Sequence, residues 1–242
     1  EEGYLDVLEK TVPGSGTVYL DPDTAMNPHS LDAALRAAGA AVLATDKVAN
    51  GEMENAFCAV RPPGHHAERG RAMGFCMINS VAVAAAHALA HHCFERVAVI
   101  DFDVHHGNGT EDIFRDEPRV MMASTFQHPF YPYSGTQGRS ERMVNIPLAA
   151  GSDGRALRAA VRAISDMAKS AFRMIRKTSR AESMAAASTL AANESNKLTS
   201  VAETCEWTIS LVTCRAVATP WRNCWTRPVS RPAATSSMCW AT

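Results

Sequence analysis

Apolar residues along this chain of 242 residues fall into helical and strand-like runs that alternate, and the alternation predicts an architecture. Tyr4, Leu5 and Leu8 recur at helical spacing, so residues 1–10 read as the end of a helix. Pro13-Gly14-Ser15-Gly16 is a turn, and Thr17–Leu20 a short apolar extension. An alanine-rich stretch from Leu31 to Ala44 predicts a helix with Ser30 as its N-cap and Gly51 in the following loop. Ala56–Val60 predicts a compact strand, ended by Arg61-Pro62-Pro63-Gly64 because prolines remove ladder donors. Asn79 leads into a helix over Ser80–His92, whose alanines permit close approach to a sheet. The nearly continuous apolar run inside Arg96–Phe102 predicts an internal parallel strand. Thr110–Arg115 reads as a short helix, Arg119–Ser124 and Met143–Ile146 as strands, and Gly154–Arg162 as the start of another helix. Strands alternating with helices predict an α/β fold with an open, mostly parallel sheet flanked by helices. Function in such sheets gathers beyond the C-terminal ends of the strands.

Two histidine-rich loops stand at those ends. The first is Arg61-Pro62-Pro63-Gly64-His65-His66-Ala67 and the second Asp101-Phe102-Asp103-Val104-His105-His106-Gly107-Asn108-Gly109. A period of two places Asp101, Asp103 and His105 on roughly one side, and a carboxylate two residues from an imidazole suits a borderline metal such as Zn²⁺. The same spacing also serves a buried hydrogen-bond network, and an isolated His-His pair is more often an ordinary polar loop. Their coincidence within 45 residues, each after an apolar strand, favours a metal-dependent hydrolytic site. His87, His91 and His92 read as surface or packing residues on or just after their helix. His29 has no clear role, and His128, in an aromatic loop, is the better candidate for a pocket rim.

With 20% charged residues, 46% hydrophobic ones and a net charge of −1, the chain is neither an acidic disordered tail nor a basic nucleic-acid arm. No 18 consecutive residues are apolar, so no membrane span is expected, and no secretory leader precedes Glu1. Seven cysteines without a CxxC pair argue against a disulfide framework or a four-thiolate zinc site, and point to a reducing, cytoplasmic setting. The averages conceal a break. All 14 glycines lie at or before Gly154, all nine histidines by His128, and all four tryptophans at Trp207 and beyond. Residues 1–162 carry 14 basic and 20 acidic side chains, a net of −6, whereas residues 163–242 carry 10 and 5, a net of +5. We therefore expect a partial α/β domain over 1–162 and an unrelated tail over 163–242. A reading-frame change near 162–166 would explain a poorly ordered tail; a genuine Ser/Thr/Ala-rich basic tail is the alternative.

The segments Tyr19–Thr24, Arg61–Ala67, Gly74-Phe75-Cys76, Asp101–Thr110 and Tyr131–Thr136 resemble the zinc-dependent histone deacetylase superfamily. The resemblance is strongest to its class II-like bacterial branch, the histone deacetylase-like and acetylpolyamine amidohydrolases. The paired Pro-Gly-His-His and Asp-x-Asp-x-His-His-Gly-Asn-Gly signatures carry it. It implies an arginase/deacetylase-like fold, incomplete here, and hydrolysis of N-acetyl amides on lysine side chains or polyamines. By the same resemblance Asp103 and His105 bind Zn²⁺, His66 is nearer the general acid/base role, and His65 is its electrostatic partner. Asp101 then orients His65, Asn108 supports His66, Gly74 lies at the substrate amide, and Phe75 with Tyr131 walls a narrow acyl-lysine tunnel. Ser124 and Thr125 offer backbone oxygens to a structural K⁺ alongside Asp101, Asp103 and His105. The resemblance implies no specific nucleic-acid partner.

The family also uses a second aspartate ligand and a tyrosine oxyanion donor from its C-terminal half. After Asp103 the aspartates are Asp112, Asp116, Asp153 and Asp166, none in the family's Gly-Phe-Asp or Asp-Pro setting, and no tyrosine follows Tyr133. Two protein ligands bind zinc weakly, and a lost oxyanion donor costs about 3–4 kcal/mol. These departures imply a fragment, beginning late and altered at its far end, with impaired activity. A non-catalytic acyl-lysine or peptide-binding relic is the alternative. An arginase-like ureohydrolase is disfavoured, because Asn108 offers an amide where a two-metal cluster wants carboxylates.

Overall fold

The computed structural model describes residues 3–92, 94–137, 140–164, 166 and 209–213. In chain order the elements are α1 (Tyr4–Thr11), β1 (Val18–Asp21), β2 (Thr24–Met26), α2 (Ser30–Ala49), α3 (Ser80–His91) and β3 (Val97–Asp101). They continue with α4 (Asn108–Phe114), β4 (Val120–Gln127), β5 (Met143–Leu148), a helix α5 over residues 154–164, and β6 (Ile209–Thr213). β5-β4-β3-β6 form one sheet, parallel throughout, and β1 and β2 an antiparallel pair apart from it. This is the expected α/β sheet flanked by helices.

Alternation along the strands divides the core into two layers. Val97 and Val99 of β3 and Val120 and Met122 of β4 pack against Ala82, Ala85 and Ala88 of α3 and Phe114 of α4. The alanines project one methyl each, so α3 lies close over the strands, and each valine held this way contributes about 1.5–3 kcal/mol. Their neighbours in sequence face the other way: Ala123 and Val144 meet Ile164 of α5, with Ile100, Met121 and Ile146 beside them. A separate cluster of Leu8, Met26, Leu31, Ala34, Ala72 and Met77 anchors α1, β2 and α2.

Asn79 joins three parts of the molecule. Its Oδ1 accepts the Ala82 N–H at 3.0 Å and caps α3, while its Nδ2 donates to Ala67 O at 3.3 Å and to Thr110 Oγ1 at 3.1 Å. Removing a cap and stranding two buried acceptors makes Asn79→Ala cost about 2 kcal/mol, measurable by urea unfolding.

Several expectations are corrected. Ala56–Val60 is irregular and largely exposed, Phe57 at 76%. Both sides of β3 are taken by β4 and β6, and no described strand offers this run a ladder. Ser30 is the first residue of α2 rather than its cap; its hydroxyl bonds Asn27, whose Oδ1 also accepts the His29 N–H at 2.8 Å and starts the helix turn. Helix α2 runs on to Ala49, and β4 runs to Gln127 because β5 pairs with it as far as Gln127↔Leu148. Pro147 lies inside β5, tolerated because β5 has only β4 beside it among the described residues. Of the tail expected from residue 163, residues 167–208 and 214–242 lie outside the described residues, and Ile209–Thr213 joins the sheet beside β3.

Candidate active site

The two histidine loops meet at the C-terminal end of β3. The N–H groups of Gly109 and Thr110 donate to His65 O at 3.0 and 3.2 Å, locking one loop to the other. A Cβ at Gly109 would overlap the Ala67 carbonyl, so this approach requires glycine. The rings of His65 and His66 lie 4.0 Å apart, tilted by 45°. His65 Nδ1 is 2.8 Å from Oδ2 of the fully buried Asp101, whose other oxygen accepts the Asp103 N–H at 3.1 Å. Asp103 Oδ1 in turn accepts the His105 N–H at 2.8 Å and lies 2.9 Å from His105 Nδ1.

His66 is fully buried, 2.8 Å through Nδ1 from Asn108 Oδ1. The Asn108 amide has its direction set from behind: Nδ2 donates to Glu68 Oε1 at 2.8 Å, so Oδ1 must face His66. An acceptor at that position holds the proton on Nδ1 and leaves the Nε2 lone pair available. His66 Nε2 is buried with no hydrogen-bond partner, and the ring stands edge-on to Tyr131 at 5.1 Å and to His105 at 5.7 Å. Burial, then charge on His65, pushes the His66 imidazole down to about 3, so it stays neutral. At Asp103 burial acts upward, yet the hydrogen bonds from the His105 ring and backbone and the charge on His65 hold the carboxyl below its usual range.

Aromatic residues close over this cluster. Phe130 stacks on His105 with centroids 5.1 Å apart and planes 13° from parallel. The Tyr131 hydroxyl is buried without a hydrogen-bond partner; burial first, then the Asp23 and Asp21 carboxylates, pushes it up to about 12, so it keeps its proton.

Met73 and Cys76 exchange backbone hydrogen bonds of 2.9 and 3.1 Å across Gly74 and Phe75, which both have positive φ, 58° and 64°. Such a turn favours glycine at both central positions, and Phe75 is strained there. Gly74 is required, because a Cβ would overlap the His66 ring. Phe75 is held from outside: Gly74 N–H donates to Asp23 Oδ1 at 3.2 Å and Phe75 N–H to Thr24 Oγ1 at 3.0 Å. The Phe75 side chain is 46% exposed and stands outward rather than in the buried cluster. Phe75→Gly should therefore relieve this strain and raise stability by about 1 kcal/mol in urea unfolding.

Asp103 and His105 have the donor chemistry of a zinc site, but among the described residues no third His, Cys, Asp or Glu atom converges on them. Ser124 pairs with Asp101 across the β3–β4 ladder, and the buried hydroxyls of Ser124 and Thr125 have no hydrogen-bond partner. Ser124, on the same face of the sheet as the buried Asp101 carboxylate, offers an oxygen that suits a hard cation.

The remaining histidines stand elsewhere. His106 turns away from the cluster, 2.8 Å from Ser134 Oγ and 2.8 Å from the Glu111 carboxylate. His128 donates its N–H to Leu148 O on β5, His29 precedes α2, and His87 and His92 approach Asp46. Sequence reading missed Glu68, Asp23, Thr24 and Phe130. Glu68 and Phe130 adjoin motifs already singled out and Asp23 and Thr24 lie inside one, but the contacts of this last pair with the Gly74-Phe75 turn span 51 residues and carry no local signal.

The histone deacetylase domain profile matches residues 1–174. Over 161 residues the chain is 45% identical to the uncharacterized protein slr0245 of Synechocystis, covering 65% of this chain and 52% of that protein. It is 41% identical over 155 residues to the histone deacetylase-like amidohydrolase of Pseudomonas aeruginosa, covering 61% of this chain and 40% of the relative. Among solved structures, acetylpolyamine aminohydrolase from Burkholderia pseudomallei superimposes with a TM-score of 0.60 at 30% identity, covering 70% of this chain and 60% of that one. The chain thus spans about half the length of the curated relatives it matches, or less. No helix among the described residues is long and apolar enough to cross a membrane.

Proposed function

Because this chain belongs to the zinc-dependent histone deacetylase superfamily, in its class II-like branch, we propose that it hydrolyses N-acetyl amides of lysine side chains or polyamines, at a reduced rate. The observation that carries this reading is a neutral, buried imidazole at His66 whose Nε2 lone pair has no hydrogen-bond partner among the described residues. Asp103 and His105 would hold the zinc ion, which when bound supplies Lewis-acid polarisation of the acyl carbonyl.

The chain's own residues do the rest. His66 Nε2 accepts a proton from the attacking water and returns it to the departing amine. Asn108 and Glu68 keep the proton on Nδ1 and so leave the Nε2 lone pair open to accept one. His65, oriented by Asp101, is the electrostatic partner of His66. Gly74 leaves room at the amide, and Tyr131 and Phe75 wall a tunnel that favours a neutral acyl amide over a free ammonium, whose burial is costly. Ser124 and Thr125 would join Asp101, Asp103 and His105 around a structural K⁺.

The reduced rate follows from the donor count and from the absence of any tyrosine after Tyr133 in the sequence, which leaves the oxyanion without its family donor. We assign this machinery to a unit over residues 1–162 and a separate origin to 163–242. We place the chain in a reducing, cytoplasmic setting, in line with seven cysteines that include no CxxC pair.

Acetyl-lysine peptide and acetylpolyamine, incubated with Zn²⁺-supplied chain, should yield free amine and acetate by mass spectrometry. Chelation should slow the reaction at least about tenfold. Peptide binding that ignores the chelator, with no product, would instead mark a non-catalytic acyl-lysine-binding relic.

A further inference from the structure

We propose that Asp46, His87 and His92 form a second divalent-metal site, which clamps the C-terminal end of α2 to that of α3. Asp46 Oδ1 lies 2.6 Å from His87 Nε2 and 2.8 Å from His92 Nε2, and one ligand atom from each of the three residues falls within 4.8 Å of the others. The three arrive from different places: Asp46 from the last turn of α2, His87 from α3, and His92 from the cap that ends α3. His91, one turn after His87, packs its ring 4.6 Å from the His87 ring and steadies it.

Two observations turn this cluster from an ordinary ion pair towards a cation site. Both imidazoles present the same atom, Nε2, to a single carboxylate oxygen, which is how two rings and a carboxylate surround one ion. Both helices also end here, so the negative ends of their dipoles face the cluster. Two imidazole nitrogens and a carboxylate oxygen form a borderline set suited to Zn²⁺. Binding moves the proton of each neutral ring from Nε2 to Nδ1 and frees the lone pair, with no oxidant or reductant required. The side chains are 16–38% exposed, so an ion can enter from solvent and water can complete its coordination.

The clamp has a structural role. Helices α2 and α3 pack largely through alanines, and an ion held across their ends adds its binding free energy to folding. This site shares no residue with the Asp103–His105 pair and does not depend on the proposed hydrolysis.

The test uses the full chain carrying Asp103→Ala and His105→Ala, so that zinc bound at that pair is not counted. Equilibrium dialysis against Zn²⁺ alone should leave one equivalent bound, with a rise in the thermal midpoint. Adding His87→Ala or His92→Ala should raise the dissociation constant at least tenfold and abolish that rise. Asp46→Asn, which keeps the side-chain shape, should weaken binding in the same direction. Should the starting double variant fail to fold, the parent chain and its His92→Ala form are compared instead, and must differ by one equivalent of zinc. Equal stoichiometry and an equal thermal response with and without His87 and His92 would overturn the proposal, as would no bound zinc in the Asp103→Ala/His105→Ala chain.

Discussion

His66→Ala is expected to slow acetyl-lysine hydrolysis by about 10²–10⁴-fold, the range by which a positioned general base accelerates such reactions. The loss should appear in kcat, since under the proposed mechanism His66 moves a proton rather than holding the acyl chain. A second readout comes from acid stability. An imidazole in an unfolded chain titrates near about 6.5, whereas burial and the charge on His65 push His66 down to about 3 in the folded state. Below about pH 6.5 the unfolded chain gains a proton that the folded chain does not. The stability that depends on a neutral His66 is thus complete above that pH and is lost progressively towards pH 3. His66→Ala removes this component, so urea midpoints at pH 7 and pH 5 should differ less in the variant than in the parent. Parent-like turnover in His66→Ala would remove His66 from the base role.

Asp101→Ala is expected to be the most destabilising single substitution at the site. Its carboxylate is fully buried, 2.8 Å from His65 Nδ1, and accepts the Asp103 N–H. Removing one member of a buried charged pair while leaving the other costs about 3–5 kcal/mol. Domains are held by only about 5–15 kcal/mol, so thermal unfolding of the variant should begin far earlier or lose its cooperativity. Asp101→Asn keeps an oxygen for one of the two donors and should cost about half as much. A change below about 1 kcal/mol for alanine would show that the pair contributes little.

The elements that the sequence made legible are those whose burial pattern is local. Val97–Ile100 reads as an internal strand because both faces are apolar, and α3 is marked by Asn79 at its start and alanines at helical spacing. The Asp-x-Asp-x-His motif marked the chemistry, although β3 ends at Asp101, and Asp103 and His105 follow in a bend held by the Asp101 and Asp103 carboxylates rather than by a strand period. What escaped depends on distant partners. Ala56–Val60 has the composition of a strand but no neighbour to pair with among the described residues, and β-propensity without a ladder does not make a strand. Conversely Ile209–Thr213 is a β-branched run that finds its partner more than 100 residues earlier, at β3. The Glu68–Asn108–His66 chain crosses two loops and rests on the orientation of one amide, which spacing does not encode.

The position of Pro147 bears on how these molecules behave towards one another. β5 forms one border of the parallel sheet among the described residues, and a border strand with a full set of donors invites a second chain to extend it. Pro147 breaks that set by withholding an amide hydrogen. It lies opposite Phe126 on the inner side, so the register with β4 survives while the outward row of contacts a visiting strand would need is poorly supported. Aggregation by strand addition is thereby discouraged along this border, in a protein whose buried strands are rich in valine, isoleucine and methionine.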